Sequence, residues 1–119
     1  MKVPTVADAR AGLWAWRALR TARARLADGE VRDVLLPAPP AVPQRAGRAV
    51  RVVLRRQEPS CLERALVLQR WLTAHGVVKD VVVGTQGNSR TEFKAHAWVD
   101  GEPQGDLAYV EILRLAPRR

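Results

Sequence analysis

The chain is poor in the residues that hold small proteins together through covalent or metal bonds. Its 119 residues include one cysteine and two histidines. A lone cysteine excludes an internal disulfide framework, so a reducing cytoplasm is the expected setting. One cysteine and two histidines are also too few for the usual zinc site. We therefore expect neither a metal nor a cofactor.

Long apolar runs are missing as well. No stretch approaches the roughly 20 apolar residues that a membrane-spanning helix needs, and residues 1–4 lead into an arginine-rich segment rather than the apolar core of a secretory signal. Hydrophobic residues still make up 47% of the chain, which excludes wholesale disorder. The length suits one domain and is too short for two, so we expect a single soluble, cytoplasmic domain over residues 1–119.

Negative charge is scarce in the N-terminal half. Residues 1–60 contain 12 Lys and Arg against 5 Asp and Glu, whereas residues 61–119 contain 8 against 7. A basic surface attracts nucleic acid or an acidic polypeptide, or is simply a solvated face. One Phe and one Tyr beside four Trp provide few platforms for stacking bases, which disfavours nucleic acid as a partner.

Residues 1–56 predict two helices joined by an extended connector. Thr5 followed by Asp8 is a capping signal, and Asp28-Gly29 is a stop signal. Four prolines in residues 37–43 exclude helix, so we interpret that segment as a strut between helices. Apolar residues that recur at helical spacing predict the first helix: Val6, Ala9, Leu13, Trp16, Leu19 and Leu26.

Residues 45–56 predict a second, amphipathic helix. One side carries an apolar stripe of Ala46, Ala49, Val50, Val53 and Leu54. The opposite side carries Arg45, Arg48, Arg51 and Arg55. Two interpretations stay open for these arginines: a solvated face of a packed helix, which is favoured, and a surface that binds nucleic acid.

The third predicted helix begins at the only cysteine. Ser60 is a suitable N-cap, and Glu63 completes a capping box. Cys61 then occupies the first helical position, where unpaired N–H groups and the helix dipole favour the nucleophilic thiolate. Gly76 suits the left-handed position after the helix, and we interpret His75 beside it as a structural cap.

The remainder of the chain predicts strands. Residues 77–85 are apolar and β-branched, and residues 91–99 alternate cleanly, with His96 and Trp98 on the face opposite Ala97 and Val99. Asp100-Gly101 is a hairpin turn signal, and residues 109–113 supply a further strand. Helices followed by an antiparallel sheet predict the α+β class.

Cysteine, histidine and aspartate follow one another in an order that suits a thiol enzyme. Cys61 is the candidate nucleophile, His96 its base, and Asp106 the acid that fixes the imidazole tautomer. A three-residue hairpin loop after Val99 pairs His96 with Asp106, whereas a two-residue loop turns Asp106 away. Each residue alone also has an ordinary structural explanation, because a lone cysteine is more often a small buried hydrophobe.

Two motifs carry a resemblance to a known family. Cys61-Leu62-Glu63-Arg64-Ala65-Leu66 and Ala95-His96-Ala97-Trp98-Val99 resemble the transglutaminase-like cysteine proteases that mature lasso peptides, the leader peptidases of the B2 type. The similarity covers about residues 45–110. It implies a papain/transglutaminase-like core over residues 57–116, with Cys61, His96 and Asp106 as its catalytic triad. The segment between His96 and Asp106 is two residues shorter than is usual in that family, which makes Asp100 the fallback acid.

The resemblance also implies a substrate and partners. Such an enzyme cuts the leader from a ribosomally made precursor peptide through a thioester and frees the core amine for a separate macrocyclising enzyme. Residues 1–56 predict no strands for a leader-binding winged-helix domain. A separate leader-recognition protein, of the RRE-containing B1 type, is therefore the expected partner. The alternatives are an acyl transferase that uses the same triad and a nucleic-acid-binding module built on residues 45–56.

Overall fold

Three helices precede a three-stranded antiparallel sheet. The computed structural model describes residues 5–29, 31–32, 34–86, 95–102 and 109–117. The helices are α1 (Val6–Ala27), α2 (Gly47–Gln57) and α3 (Cys61–Ala74), and the strands are β1 (Val81–Gln86), β2 (Ala95–Val99) and β3 (Tyr109–Leu115). A short 3-10 turn over Gln44–Ala46 precedes α2. The α+β class predicted from the sequence is confirmed.

The predicted helix α1 and its ends are confirmed, but only some of its large apolar residues pack into the core. Val6, Leu13 and Trp16 are exposed by 78%, 50% and 39%. The side that packs against the rest of the protein is instead rich in alanine: Ala11, Trp14, Ala15, Ala18, Leu19 and Ala22. Alanine is a weak apolar signal in a sequence, yet a stripe of small side chains lets neighbouring helices approach closely and bury Leu19, Leu54 and Leu68.

The end of α3 explains why the first strand begins later than residue 77. The Val77 N–H donates to the Leu72 carbonyl (2.9 Å), and the Gly76 N–H donates to the Thr73 carbonyl (3.1 Å). Gly76 has φ +81°, which completes a Schellman motif. Because the Val77 N–H is used to cap the helix, it is not available to a strand, and β1 begins at Val81.

The sheet has the order β2-β1-β3, with β1 in the centre. Val83 is paired with Ala97 on one side and with Leu113 on the other. The Asp100-Gly101 turn is present, since the Glu102 N–H donates to the Val99 carbonyl (3.0 Å). β3 pairs with β1 on the side opposite β2, and the hairpin partner predicted for β2, residues 103–106, lies outside the described residues. A turn signal in a sequence defines a change of direction but does not say which strand lies alongside.

The proline-rich connector is held against two helices. The Trp14 indole N–H donates to the Pro37 carbonyl (3.0 Å), and Arg70 donates to the Leu36 carbonyl (3.4 Å). His75 Nε2 lies 3.0 Å from the Val42 carbonyl oxygen, and its Nδ1 lies 2.9 Å from that of Trp71. His75 therefore closes the end of α3 and fastens the connector, which agrees with its interpretation as a structural cap.

One buried polar side chain joins α3 to the sheet. Gln69 is 6% exposed, and its amide donates to the carbonyls of Lys79 (2.9 Å) and Leu115 (2.8 Å). Lys79 lies just before β1, and Leu115 is the last residue of β3. The side-chain amide of Gln69 therefore positions both strands relative to α3. Among the described helices, none combines the length and apolar character needed to cross a membrane.

Asp8 makes the start of α1 sensitive to pH. It is buried, accepts the Thr5 N–H (2.9 Å), and lies 3.4 Å from Arg48 Nη2. The hydrogen bond from the Thr5 backbone, helped by Arg48 and partly opposed by burial, lowers the pKa of Asp8 below its ordinary 3.8.

Replacing Asp8→Asn should lower the melting temperature at neutral pH. Because the folded-state pKa lies below the unfolded value, the stabilisation is fully present above pH 3.8 and is lost as the pH falls through the folded value. The difference between Asp8→Asn and the wild type should therefore shrink in acid, as thermal unfolding followed by circular dichroism would measure. Asp28→Asn, at the other end of the same helix, is the control. A difference that is independent of pH would contradict this account.

Candidate functional site

The start of α3 is held in place from both neighbouring helices. The Glu63 N–H donates to Ser60 Oγ (3.2 Å), and the Ser60 N–H donates to Glu63 Oε1 (2.9 Å), so the predicted capping box is confirmed. Arg23 of α1 donates to the same Glu63 oxygen (3.4 Å) and to the Gln57 carbonyl at the end of α2 (2.8 Å). Nothing in the sequence pattern points to Arg23, because its partners lie 34 and 40 residues away.

The capping box makes Cys61 the first residue of α3. The Glu63 N–H is bonded to the Ser60 side chain, and the Arg64 N–H to the Ser60 carbonyl (3.0 Å). The first N–H groups of a helix have no acceptor within it, which leaves the Cys61 N–H directed out of the helix end. The turn before it is tight: Glu58 has φ +48° and ψ +54°, a left-handed conformation that costs a non-glycine residue about 1 kcal/mol.

The thiol of Cys61 lies beside β2, on the side that faces away from β1. The Ala97 N–H donates to Cys61 Sγ at 3.3 Å. Because the Asp100 N–H donates to the Asp80 carbonyl (2.8 Å), the even-numbered residues of β2 direct their N–H groups toward β1. The N–H of Ala97 therefore points the other way, out of the sheet, where the sulfur meets it. The sulfur occupies the position that the next strand of a larger sheet would take.

Cys61 and His96 line one cavity of about 500 Å³. His96 lies on β2 and is paired with Gly84 of β1. The helix start and the edge strand thus bring the candidate nucleophile and the candidate base to the same cavity. Both side chains are half-buried, so both are reachable from solvent.

An aromatic ring packs beside the imidazole. The Trp98 indole and the His96 ring are stacked, with centroids 5.7 Å apart and planes inclined by 23°. Trp98 lies over Gly84, where an added Cβ would come within 3.0 Å of the indole and 2.9 Å of the Val110 carbonyl oxygen. The absence of a side chain at Gly84 therefore makes room for Trp98, which in turn restricts the imidazole.

The rim of the cavity is charged. Glu102, after the turn that follows β2, lies 3.7 Å from Arg51 of α2 and 3.4 Å from Arg64 of α3. These three residues were not among the predicted site residues. They come from three separate elements, and no local pattern in the sequence connects them.

Asp106 lies outside the described residues, so its role stays a prediction, as does the register that pairs it with His96. The fallback acid, Asp100, lies 3.0 Å from Arg114, and hydrogen bonds from Arg114 to Glu111 and Asp100 raise the pKa of the guanidinium. Asp100 does not line the cavity of Cys61. Within the ranges given above, no cluster of three or more His, Cys, Asp or Glu is arranged to hold a metal ion.

Cys61 lies at the capped start of α3 and faces a cavity that it shares with His96 of the adjacent strand β2. This arrangement defines an α+β protein with a thiol site. A family model described as the transglutaminase-like superfamily matches residues 6–112, and the chain belongs to that superfamily. The family is typical of cysteine proteases and acyltransferases with a Cys-His-Asp triad. Comparisons with curated proteins and with solved structures gave no significant match.

Replacing Gly84→Ala should destabilise the protein by about 1–3 kcal/mol, because the new methyl group must displace either the Val110 carbonyl or the Trp98 indole. Urea unfolding monitored by circular dichroism measures this. Gly12→Ala is a matched control, since its Cβ would meet only Val53 at an ordinary 3.5 Å and helix propensity favours alanine. Equal stability of Gly84→Ala and wild type would show that Gly84 is not needed for the position of Trp98.

Proposed function

We propose that this chain is a cysteine endopeptidase that removes the leader from a ribosomally synthesised lasso precursor peptide. The observation that carries the proposal is the arrangement of Cys61: its thiol accepts the Ala97 N–H and faces the cavity lined by His96. Membership of the transglutaminase-like superfamily supports thiol chemistry at this position. The resemblance of the segments around Cys61 and His96 to leader peptidases supports the choice of substrate.

The proposed reaction proceeds by two acyl transfers. His96 takes the proton of the Cys61 thiol, and the sulfur attacks the carbonyl carbon at the end of the leader. The outward-directed N–H of Cys61 is suitably placed to stabilise the oxyanion. His96 then gives its proton to the leaving nitrogen as the C–N bond breaks, which leaves a leader thioester and a free core amine. Asp106 holds the imidazole in the required tautomer.

Hydrolysis of the thioester completes the cycle. A water molecule gives a proton to His96 and attacks the thioester carbonyl. The C–S bond then breaks, the leader leaves as a carboxylate, and the sulfur recovers its proton from His96. The free core amine is the group that a separate macrocyclising enzyme would use. In this proposal a separate leader-recognition protein delivers the precursor in the cytoplasm.

An acyl transferase shares every step up to the thioester. The superfamily contains both activities, so the identity of the acceptor separates them. Incubation of the thioester-forming enzyme with precursor in H₂¹⁸O labels the released leader carboxylate if water is the acceptor. Transfer to an amine leaves no label.

Replacing Cys61→Ala should abolish leader removal, with a loss on the order of 10⁶-fold, because a triad without its nucleophile retains little activity. The measurement is mass spectrometry of precursor, leader and core after incubation with the leader-recognition protein that the proposal requires. His96→Asn should cause a comparable loss.

The second histidine provides the control. His75→Gln changes a residue at the opposite end of α3, whose ring contacts the Trp71 and Val42 carbonyls. It should leave activity near the wild-type rate at temperatures where the variant is folded. Persistence of leader removal in folded Cys61→Ala would refute a thiol mechanism.

A further inference from the structure

A second cavity of about 810 Å³ forms a groove between α1 and α2. Its floor consists of small or apolar residues from both helices: Ala9, Gly12, Ala49, Val52 and Val53. Ala49 and Val53 pack against the hydrophobic core, whereas Val52 does not belong to that packed set and Ala9 is exposed. The groove therefore presents apolar surface that the fold itself does not use.

The rim of this groove is positively charged. It carries Arg48, Arg51, Arg55 and Arg64, against one carboxylate, Asp8. Asp8 is already engaged by Arg48 at 3.4 Å and by the Thr5 N–H. Arg55 is exposed and makes no ion pair with the described residues. The rim thus has unbalanced positive charge beside an apolar floor.

The groove lies beside the cavity of Cys61 and His96. Arg51 and Arg64 line both of them. Each of the two arginines also lies within ion-pair distance of Glu102. Arg51 and Arg64 therefore form the boundary between the groove and the cavity of Cys61. A polypeptide that lies in the groove would therefore be led toward the thiol.

The apolar surface extends along α1 beyond the groove. Ala9 and Trp16 are seven residues apart and so lie on the same side of the helix. Trp16 is 39% exposed and Leu13 is 50% exposed. Leu13 and Trp16 therefore add exposed apolar surface on α1, the helix that also lines the groove.

We propose that the groove binds an acidic segment of the peptide substrate, with apolar side chains on the floor and carboxylates on the arginine rim. This inference rests on the proposed peptidase function and names the surface that would orient the substrate. The apolar floor, and a boundary with the Cys61 cavity that Arg51 and Arg64 form, favour a peptide. A nucleic acid would use the arginines but has no need of a floor built from alanine and valine.

The test is fluorescence anisotropy with the full chain carrying Cys61→Ala. The probe is a fluorescein-labelled peptide of repeated Glu-Leu-Ala-Glu units, and the comparison peptide has Lys in place of Glu. Binding of the acidic peptide should weaken by about tenfold in Arg55→Glu, the equivalent of one lost charge-assisted hydrogen bond. Arg56→Glu is the matched control, because Arg56 is exposed in the same last turn of α2 but does not line the groove.

The apolar floor is tested by Val52→Thr, which keeps the shape of the side chain and adds a hydroxyl. It should weaken binding of the acidic peptide at both low and high salt, whereas the effect of Arg55→Glu should fade as salt screens the rim. Equal effects of Arg55→Glu and Arg56→Glu would overturn the proposal, as would preference for the Lys peptide. Failure of the acidic peptide to bind, with Arg55-dependent binding of labelled oligothymidylate instead, would assign the surface to nucleic acid.

Because binding is measured without turnover, the experiments can refute the proposed groove and the proposed peptidase function independently of each other. Groove-dependent binding without any leader removal by the wild type would refute the peptidase function alone. Leader removal with a KM unchanged in Arg55→Glu would refute the groove alone.

Discussion

The capping box at the start of α3 is the interaction on which the site depends. Glu63 accepts hydrogen bonds from both the Ser60 N–H and the guanidinium of Arg23. Its carboxylate therefore stabilises the first turn of α3 and links that turn to α1. Arg23 also holds the last carbonyl of α2. The position of Cys61 is therefore determined by three helices together. A hydrogen bond to an ionised group is stronger than one between neutral groups, which suits a helix start that must stay in one place.

The second constraint is the side of β2 that faces away from β1, which no other described strand covers. An edge strand presents unpaired N–H groups that must be satisfied or covered. Here the first turn of α3 covers the edge, and the Ala97 N–H is satisfied by the sulfur of Cys61. One face of β2 packs into the core through Ala97 and Val99, while the other directs His96 and Trp98 outward. The alternation of a strand thus separates residues that stabilise the fold from residues available for chemistry.

Features that depend on contacts between residues close together in the chain were the ones predicted correctly from the sequence. The capping boxes at Thr5 and Ser60, the glycine after α3 and the alternation of residues 95–99 were all predicted, because each depends on residues within one or two turns. The face of α1 that packs into the core is not evident from its large apolar residues, since Leu13 and Trp16 are exposed whereas Leu19 is buried. Large apolar residues dominate a periodicity argument, whereas the close approach of α2 and α3 selects a stripe of alanines. The place of β3 beside β1 was not predicted, since this pairing joins residues far apart in the chain.

The sequence by itself determined the order of helices and strands, the helix that begins at Cys61, and the strand that carries His96, because local hydrogen bonds and side-chain periodicity are sufficient for these. Only the tertiary structure decided that the thiol meets the outer edge of β2 and shares a cavity with the imidazole. It also decided that Arg51, Arg64 and Glu102 surround that cavity, and that the apolar stripe of α1 faces solvent. These features join residues far apart in the chain, and their positions follow from how the helices pack on one sheet rather than from any local pattern.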